Sequence, residues 1–207
     1  EDGIRDLVRS RGLGDVYKRQ KLCEALESYD HSPGQLMPIS HGQPFDVFLD
    51  RADTAKQLSR AIRALRQVTN GKLIVVYGPS ASQPKPVRVA MGQVAEKFAD
   101  VSIITENNPE YENPLEIAHD VLDGYTRSAD AYVIPGRERA IVWALTQAEP
   151  EDTVLICGKG DDTSHVMGSE VFYFDDAEIV KICLQEIQNP VAKYGRDVFR
   201  IDDYRES

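Results

Sequence analysis

The sequence has few cysteines, no long apolar run and a shortage of positive charge. Its three cysteines, Cys23, Cys157 and Cys183, form neither a CxxC pair nor a disulfide framework, so we expect a reducing, cytoplasmic setting. Apolar runs such as Leu73 to Tyr77 are far too short to span a bilayer. Lys and Arg number 24 against 34 Asp and Glu, a net charge of −10. This balance argues against nucleic acid or an anionic membrane as the partner.

Nucleotide-binding motifs and metal-ligand spacings are also missing. The P-loop pattern GxxxxGK[ST] occurs nowhere, which excludes a nucleotide site of the P-loop type. No GxGxxG follows the first predicted strand, so a dinucleotide-binding Rossmann domain is the least favoured of the functions considered. His31, His41, His119 and His165 have no His or Cys at metal-ligand spacing. We therefore predict no metal site and expect each histidine on the surface or in a loop.

What the sequence does contain is an alternation of short apolar runs with amphipathic stretches. Apolar residues make up 42% of the chain, enough for the core of one domain. Strands alternating with helices are typical of βαβ units. We predict an α/β, Rossmann-like fold: a doubly wound, mostly parallel six-stranded sheet with helices on both faces. The predicted strands are Phe45–Asp50, Leu73–Tyr77, Val101–Thr105, Ala131–Ile134, Thr153–Cys157 and Val171–Phe174.

Helical spacing predicts a helix after every strand except the fifth. Expected caps are Asp53 or Thr54 for the first helix, Asn113 before Pro114 for the third, and Asp175 or Asp176 for the last. The apolar positions expected to face the core include Leu58, Ile62 and Leu65; Val87, Met91, Val94 and Phe98; Ala118, Val121, Leu122 and Tyr125; Ala140, Ile141, Ala144, Leu145 and Ala148; and Ile179, Ile182, Cys183 and Ile187.

Composition divides the chain into four parts. Residues 1–20 are rich in basic side chains and have no apolar core stretch and no clear period. We interpret them as a non-native or disordered leader and not as a secretory signal; a native basic arm is the alternative. Residues 21–44 are a lead-in segment, 45–189 the α/β domain, and 190–207 a polar tail.

Polar loops follow several of the predicted strands, where ligands of parallel sheets bind. The CGKGDD loop, 157–162, would let a ligand approach its glycines and Lys159; the alternative is a tight turn with a solvated lysine. The 105–114 loop offers carboxylates and amides to a polar ligand, or is only a turn with a capped helix. The 77–86 loop has three prolines, which favours a rigid connection. Asp50 and Asp53 are a helix cap more often than cation ligands.

Taken in order, these motifs resemble the C-terminal domain of the Mur ligases, from about Ser32 to about Ile187. Within that family the chain most resembles the enzymes that add the third amino acid to the UDP-N-acetylmuramoyl peptide of peptidoglycan synthesis. The family's VDYAHTPD, GCGGDRDxxKRxxMG, TDDNPRxExP and AGKGHE motifs match Leu49–Lys56, Gly78–Gly92, Thr105–Pro114 and Cys157–Asp162, and its arginine before the next helix matches Arg137.

The departures from the family motifs fall in the ligand loops. Asp53 replaces the AHTP histidine, residues 80–84 replace the glycine pair and the Asp-Arg-Asp, and Asp161 with Asp162 replaces the His-Glu of GHE. Glu110 replaces the DNPR arginine, which meets the substrate carboxylate in the diaminopimelate-adding members. This exchange repels a carboxylate and attracts an ammonium. Two interpretations follow: a ligase retuned for a cationic amino acid such as lysine or ornithine, or a degenerate paralogue that has lost ligation.

The resemblance also implies a set of site residues and cofactors. The amino acid would be bound by Asn108, Glu110, Glu112, Gly158 and Asp161. The nucleotide or phosphate side would hold Asp53, Lys85, Arg88, Arg137 and Lys159. ATP and Mg2+ are implied, with their main binding residues in domains outside this chain. The partners would be UDP-N-acetylmuramoyl peptide, an amino acid and the missing ligase domains in cis. We expect no ligation from this domain alone; a non-catalytic binding or scaffold module is the alternative.

Overall fold

The computed structural model describes residues 34–127, 131–188 and 199–200. Its strands are β1 (Met37–Ile39), β2 (Asp46–Asp50), β3 (Leu73–Tyr77), β4 (Val101–Ile104), β5 (Ala131–Val133), β6 (Thr153–Cys157), β7 (Ser164–Met167), β8 (Glu170–Tyr173) and β9 (Phe199–Arg200). Its helices are α1 (Ala55–Arg66), α2 (Lys85–Phe98), α3 (Pro114–Leu122), α4 (Arg137–Gln147) and α5 (Asp176–Gln188).

The main sheet has the strand order β1-β2-β6-β3-β4-β5-β9. Its five central strands pair in parallel, and β1 and β9 pair antiparallel at the edges. The predicted α/β class and mostly parallel sheet are confirmed. One strand needs correction: the segment predicted at Val171–Phe174 forms β8, which pairs with β7 in a separate hairpin. Every residue of β8 is exposed, so its apolar side chains do not make it a central strand.

Helices cover both faces of the sheet, as predicted. α1, α2 and α3 pack on one face, and α4 and α5 pack on the other. β3 and β6 are buried along their whole length because both of their faces are covered. Thr54 caps α1 by accepting a bond from the Gln57 N–H, and Asn113 caps α3 by accepting one from the Leu115 N–H. Among the described residues, no helix is long and apolar enough to cross a membrane.

Two helices bury faces that differ from the predicted ones. In α2 the valines at 87 and 94 are only partly buried, whereas Met91 is buried as predicted, together with Gly92 and Ala95. The reason is close packing: a Cβ at Gly92 would lie 2.1 Å from the Val121 carbonyl oxygen of α3. In α5, Ile182 and Ile187 are exposed. The buried apolar residues of that helix are Val180, Cys183 and Leu184.

The segment boundaries are described only in part. Residues 1–33, 189–198 and 201–207 lie outside the described residues, so the predictions for the leader 1–20 and most of the tail stay predictions. The described end of the lead-in segment supplies β1. Asp50, at the end of β2, is buried and accepts bonds from the N–H groups of Leu36 and Ala52, at 2.9 and 2.8 Å. Part of the lead-in is therefore tied to the domain.

The backbones after β3 and β4 approach each other at Gly78. A Cβ at this position would lie 1.9 Å from the Thr105 carbonyl oxygen, a backbone atom that cannot rotate away. We expect Gly78→Ala to lower the free energy of unfolding by roughly 1–3 kcal/mol, measured by urea denaturation. Gly136→Ala is the matched control, because the Cβ there would meet nothing closer than 3.6 Å. Equal losses in both variants would contradict the close approach.

Candidate functional site

Three loops meet at the carboxyl edge of the sheet. The loops after β6, β3 and β4 are brought together because these strands are neighbours. Ala81 N–H donates to the Asn108 carbonyl oxygen at 3.1 Å. A Cβ at Gly158 would lie 2.8 Å from the side-chain nitrogen of Asn107 and 3.3 Å from the Gly78 carbonyl oxygen. Gly158 has φ +116°, so this position needs glycine both for its backbone and for its space.

Lys159 lies at the centre of these loops. Its side chain is fully buried. Its Nζ donates to Asn108 Oδ1 at 3.0 Å and to the Ser164 carbonyl oxygen, and it lies 5.8 Å from the centre of the Phe174 ring. Burial, with the nearby positive charge of Arg137, lowers the pKa of Lys159 from 10.5 to about 8. The ammonium therefore holds two loops together and does not extend into solvent toward a phosphate.

Asn108 and Glu110 join the 105–113 loop to the β7–β8 hairpin. Asn108 Oδ1 also accepts from the Val166 N–H at 3.1 Å. The Glu110 N–H donates to the Val166 carbonyl oxygen at 3.1 Å, and the Gly168 N–H donates to the Glu110 carbonyl oxygen at 2.7 Å. Asn108 and Glu110 have φ of 47° and 51°, in the left-handed region. This conformation turns the backbone of the loop so that Glu110 can pair with the hairpin. The Glu110 side chain remains exposed.

Arg137, placed on the phosphate side by the resemblance, is instead part of a buried ion pair. Its Nε and Nη2 donate to the two carboxylate oxygens of Asp176 at 2.8 and 2.6 Å, and both side chains are fully buried. It also donates to the carbonyl oxygens of Cys157 and Glu106, at 3.0 and 3.3 Å. The first residues of α4 and α5 are thus joined to the strand-end loops, and the guanidinium does not face a solvent-side ligand.

The phosphate-side residues of α2 are also paired within the protein. Arg88 is 5% exposed and donates to both oxygens of Glu112, at 2.7 and 2.8 Å, and to Asp120 at 3.1 Å. The pairing with Arg88 lowers the pKa of Glu112. Lys85 is exposed and contacts Asp120 and Asp123, each at 2.8 Å. These cations brace α2 against α3 and its preceding loop.

The other residues implied by the resemblance lie nearer to solvent. Asp53 accepts a bond from the Gln83 side-chain amide at 3.1 Å. Asp161 is exposed and pairs with Arg51. With Glu110 and Glu112 it gives these loops three exposed carboxylates. Two of these carboxylates are paired with arginines, Glu112 with Arg88 and Asp161 with Arg51.

A buried histidine is the main feature missed by the sequence interpretation. His165, expected on the surface or in a loop, lies in β7 and is 6% exposed. Its Nε2 lies 3.9 Å from a carboxylate oxygen of Glu106, and its ring centre is 5.4 Å from that of Phe174. Within the described part of the chain, its Nδ1 has no hydrogen-bond partner, and neither has the buried Asn107 Oδ1. Burial, with Lys159 and Arg137 nearby, lowers the pKa of His165 from 6.5 to about 4. Burial raises the pKa of Glu106.

These contacts do not fit the phosphates of ATP or a magnesium ion. Lys85, Arg88 and Arg137 are paired with carboxylates of the protein, and Lys159 with an amide and a carbonyl oxygen. In the part of the chain that the structure describes, no group of three or more His, Cys, Asp or Glu side chains is placed to hold a metal ion.

The fold and these loops define an α/β domain of the doubly wound class with an acidic, polar strand-end surface. The sequence profile of the Mur ligase, glutamate ligase domain family matches residues 36–160, more than half of the chain. The chain belongs to this family, which confirms the resemblance found in its motifs.

Individual relatives agree with this assignment. The UDP-N-acetylmuramoyl-L-alanyl-D-glutamate–2,6-diaminopimelate ligase of Fusobacterium nucleatum is 35% identical over 163 residues, which are 78% of this chain and 34% of that protein. The same-named ligase of Caldanaerobacter subterraneus is 38% identical over 154 residues, 74% and 32% of the two chains. A solved structure of a ligase of that name has a TM-score of 0.71 and 26% identity over 78% of this chain and 33% of that one. The chain spans about a third of the length of these relatives.

Proposed function

We propose that the chain is the amino-acid-presenting domain of an ATP-dependent amide ligase of peptidoglycan precursor synthesis. The observation that supports this most is the meeting of the three family-matched loops at one edge of the sheet, with Glu110, Glu112 and Asp161 exposed on them. Relatives that match most of this chain are ligases for 2,6-diaminopimelate. In such a ligase, ATP held by domains outside this chain would activate the acceptor carboxylate. The residues of this chain hold the incoming amino acid with its amine free to attack.

The exposed carboxylates favour a cationic amino acid such as lysine or ornithine. Glu110 stands where the diaminopimelate-adding members have an arginine, and Asp161, which is paired with Arg51, is a second exposed carboxylate at this edge. A carboxylate on the substrate side chain would be repelled, whereas an ammonium would form a charge-assisted hydrogen bond. The residues proposed to bind the amino acid are Asn108, Glu110, Glu112, Gly158 and Asp161, with Asn108 acting by positioning the loop.

The proposed ligase needs groups that this chain does not contribute. ATP, Mg2+ and UDP-N-acetylmuramoyl peptide would bind to ATPase and UDP-sugar domains in cis, and the whole enzyme would work in the cytoplasm. The second candidate is a catalytically degenerate binding or scaffold module. It is supported by the internal pairing of Lys85, Arg88, Arg137 and Lys159, because side chains that are bonded to other groups of the protein are not available to bind the phosphates of a nucleotide.

The test uses the full-length product of the gene that encodes this chain. Incorporation of labelled lysine, ornithine and diaminopimelate into UDP-N-acetylmuramoyl-L-alanyl-D-glutamate is measured with and without ATP. We expect incorporation of a cationic amino acid, and Glu110→Ala and Asp161→Ala each to lower kcat/KM by roughly 10- to 100-fold, because each removes one charge-assisted hydrogen bond.

The control is Glu151→Ala, an exposed carboxylate before β6 at the opposite edge of the sheet, which should leave incorporation unchanged. Unchanged incorporation in the Glu110 and Asp161 variants would show that these residues do not bind the amino acid. No incorporation of any of the three amino acids by a folded full-length protein would favour the scaffold module.

A further inference from the structure

Most of the exposed large apolar side chains of the described residues lie on the β7–β8 hairpin and on the loop that is bridged to it. We call the group Tyr111, Met167, Val171, Phe172 and Tyr173 the hairpin patch. Their exposed fractions are 81%, 45%, 68%, 46% and 70%. Among the described residues only Ile182 and Ile187 are also large, apolar and exposed. Soluble domains rarely leave such a group uncovered, and its usual purpose is to contact another surface.

The hairpin patch is built on a firmly bonded backbone. Glu110 pairs with Met167 as a short bridge, with two backbone hydrogen bonds of 2.7 and 3.1 Å joining the 105–113 loop to the hairpin. In the hairpin, His165 lies opposite Phe172 and faces the body of the domain. Side chains alternate along a strand, so Val171 and Tyr173 lie on the other face, toward solvent. Met167 and Phe172 share the face of His165 and are still about half exposed, so exposed apolar side chains lie on both faces of the hairpin without any unfolding.

The surroundings of the hairpin patch are negative. Residues 105–126 contain six Asp and Glu and no Lys or Arg, and residues 160–180 contain another six and again no Lys or Arg. Burial, with the nearby carboxylates of Glu178 and Asp175, raises the pKa of Tyr173. A second copy of this chain would place the same carboxylates across a two-fold axis, which is unfavourable. The charges instead fit a surface edged with lysine and arginine.

We propose that the hairpin patch docks against another domain of the proposed ligase, on an apolar surface edged with basic side chains. The inference rests on the proposed function, because the docking domain belongs to the two thirds of a relative's length that this chain does not span. The contact has a consequence for the site. Glu110 shares its backbone hydrogen bonds with β7, so docking fixes the loop that presents Glu110 to the amino acid.

Hydrogen exchange tests the docking directly. The exchange of backbone amides in residues 164–173 is compared between this 207-residue chain and the full-length protein. We expect exchange to slow by roughly tenfold or more in the full-length protein, because an intramolecular partner acts at high effective concentration. Val171→Lys should remove this protection, since it places a cation and a long side chain against a basic surface.

The matched control is Ile182→Lys, an exposed apolar position on α5 outside the hairpin patch, which should keep the protection. Equal exchange in the two wild-type proteins overturns the proposal. Protection that appears in the 207-residue chain only as its concentration rises also overturns it, because the occupant is then a second copy. The two proposals can fail separately. A full-length protein that ligates an amino acid but shows no slowed amide exchange in the hairpin refutes only the docking. One that shows slowed exchange but no ligation refutes only the ligase function.

Discussion

Arg137→Leu is expected to lower the free energy of unfolding by roughly 3–5 kcal/mol, because it leaves the fully buried Asp176 carboxylate without its partner. The loss also removes the donor for the carbonyl oxygens of Cys157 and Glu106. Urea denaturation of the chain measures the effect. We expect the loops at the carboxyl edge to loosen as well, since the guanidinium joins them to α4 and α5.

Two further variants compare the contribution of this buried ion pair to stability with that of an ion pair on the surface. The double variant Arg137→Leu/Asp176→Leu should recover most of the loss, because no unpaired charge is left buried. Arg51→Leu breaks the ion pair with Asp161, in which the side chains of Arg51 and Asp161 are 55% and 39% exposed. This variant should lower the free energy of unfolding by less than about 1 kcal/mol. If Arg137→Leu cost no more than Arg51→Leu, the guanidinium would not be a structural element of the core and its phosphate-side role would need to be reconsidered.

The second large effect concerns pH. The pKa of His165 is about 4 in the folded protein, against 6.5 for an ordinary histidine. Between these two pH values the unfolded chain binds a proton that the folded protein does not, so stability falls as the pH is lowered from 6.5 and the loss is complete below 4. We expect this loss to reach roughly 3 kcal/mol. His165→Gln should not show it.

The measurement is the difference between wild-type and His165→Gln unfolding free energies at a series of pH values. The difference is needed because Glu106, whose pKa is raised by burial, acts with the opposite sign: its contribution is present at low pH and is lost as the pH rises. Phe174→Leu is the control, since it disturbs the ring contact with His165 but keeps the imidazole. Its cost should be nearly independent of pH. A flat difference curve for His165→Gln would contradict a neutral, buried imidazole.

Several parts of the fold could be predicted because they depend on local patterns. The continuous apolar runs of β3 and β6 predicted strands covered on both faces, and Asn113 before Pro114 predicted the start of α3. The order of the loop motifs was sufficient to predict the family. Composition alone placed Val171–Phe174 in a sheet, but it did not show which sheet, because exposed and buried β-strands can have the same apolar residues.

The role of each charged site residue was much less predictable. Lys85, Arg88, Arg137 and Lys159 were assigned to phosphate by their places in motifs. Three of them pair with carboxylates, and Lys159 contacts an amide and a carbonyl oxygen. His165 showed no metal-ligand spacing, and nothing in its neighbouring residues indicated burial beside Glu106.

The sequence by itself determined the strand–helix alternation, the cap of α3 and the family, and it narrowed the cap of α1 to Asp53 or Thr54, since these depend on residues a few positions apart. Tertiary structure alone decided which charges meet. Arg137 and Asp176 are 39 residues apart in the chain, and Lys159 and Asn108 are 51 apart. The free energy of a charged group is set by its burial and its partners. Both are fixed only when distant strands and loops are packed together.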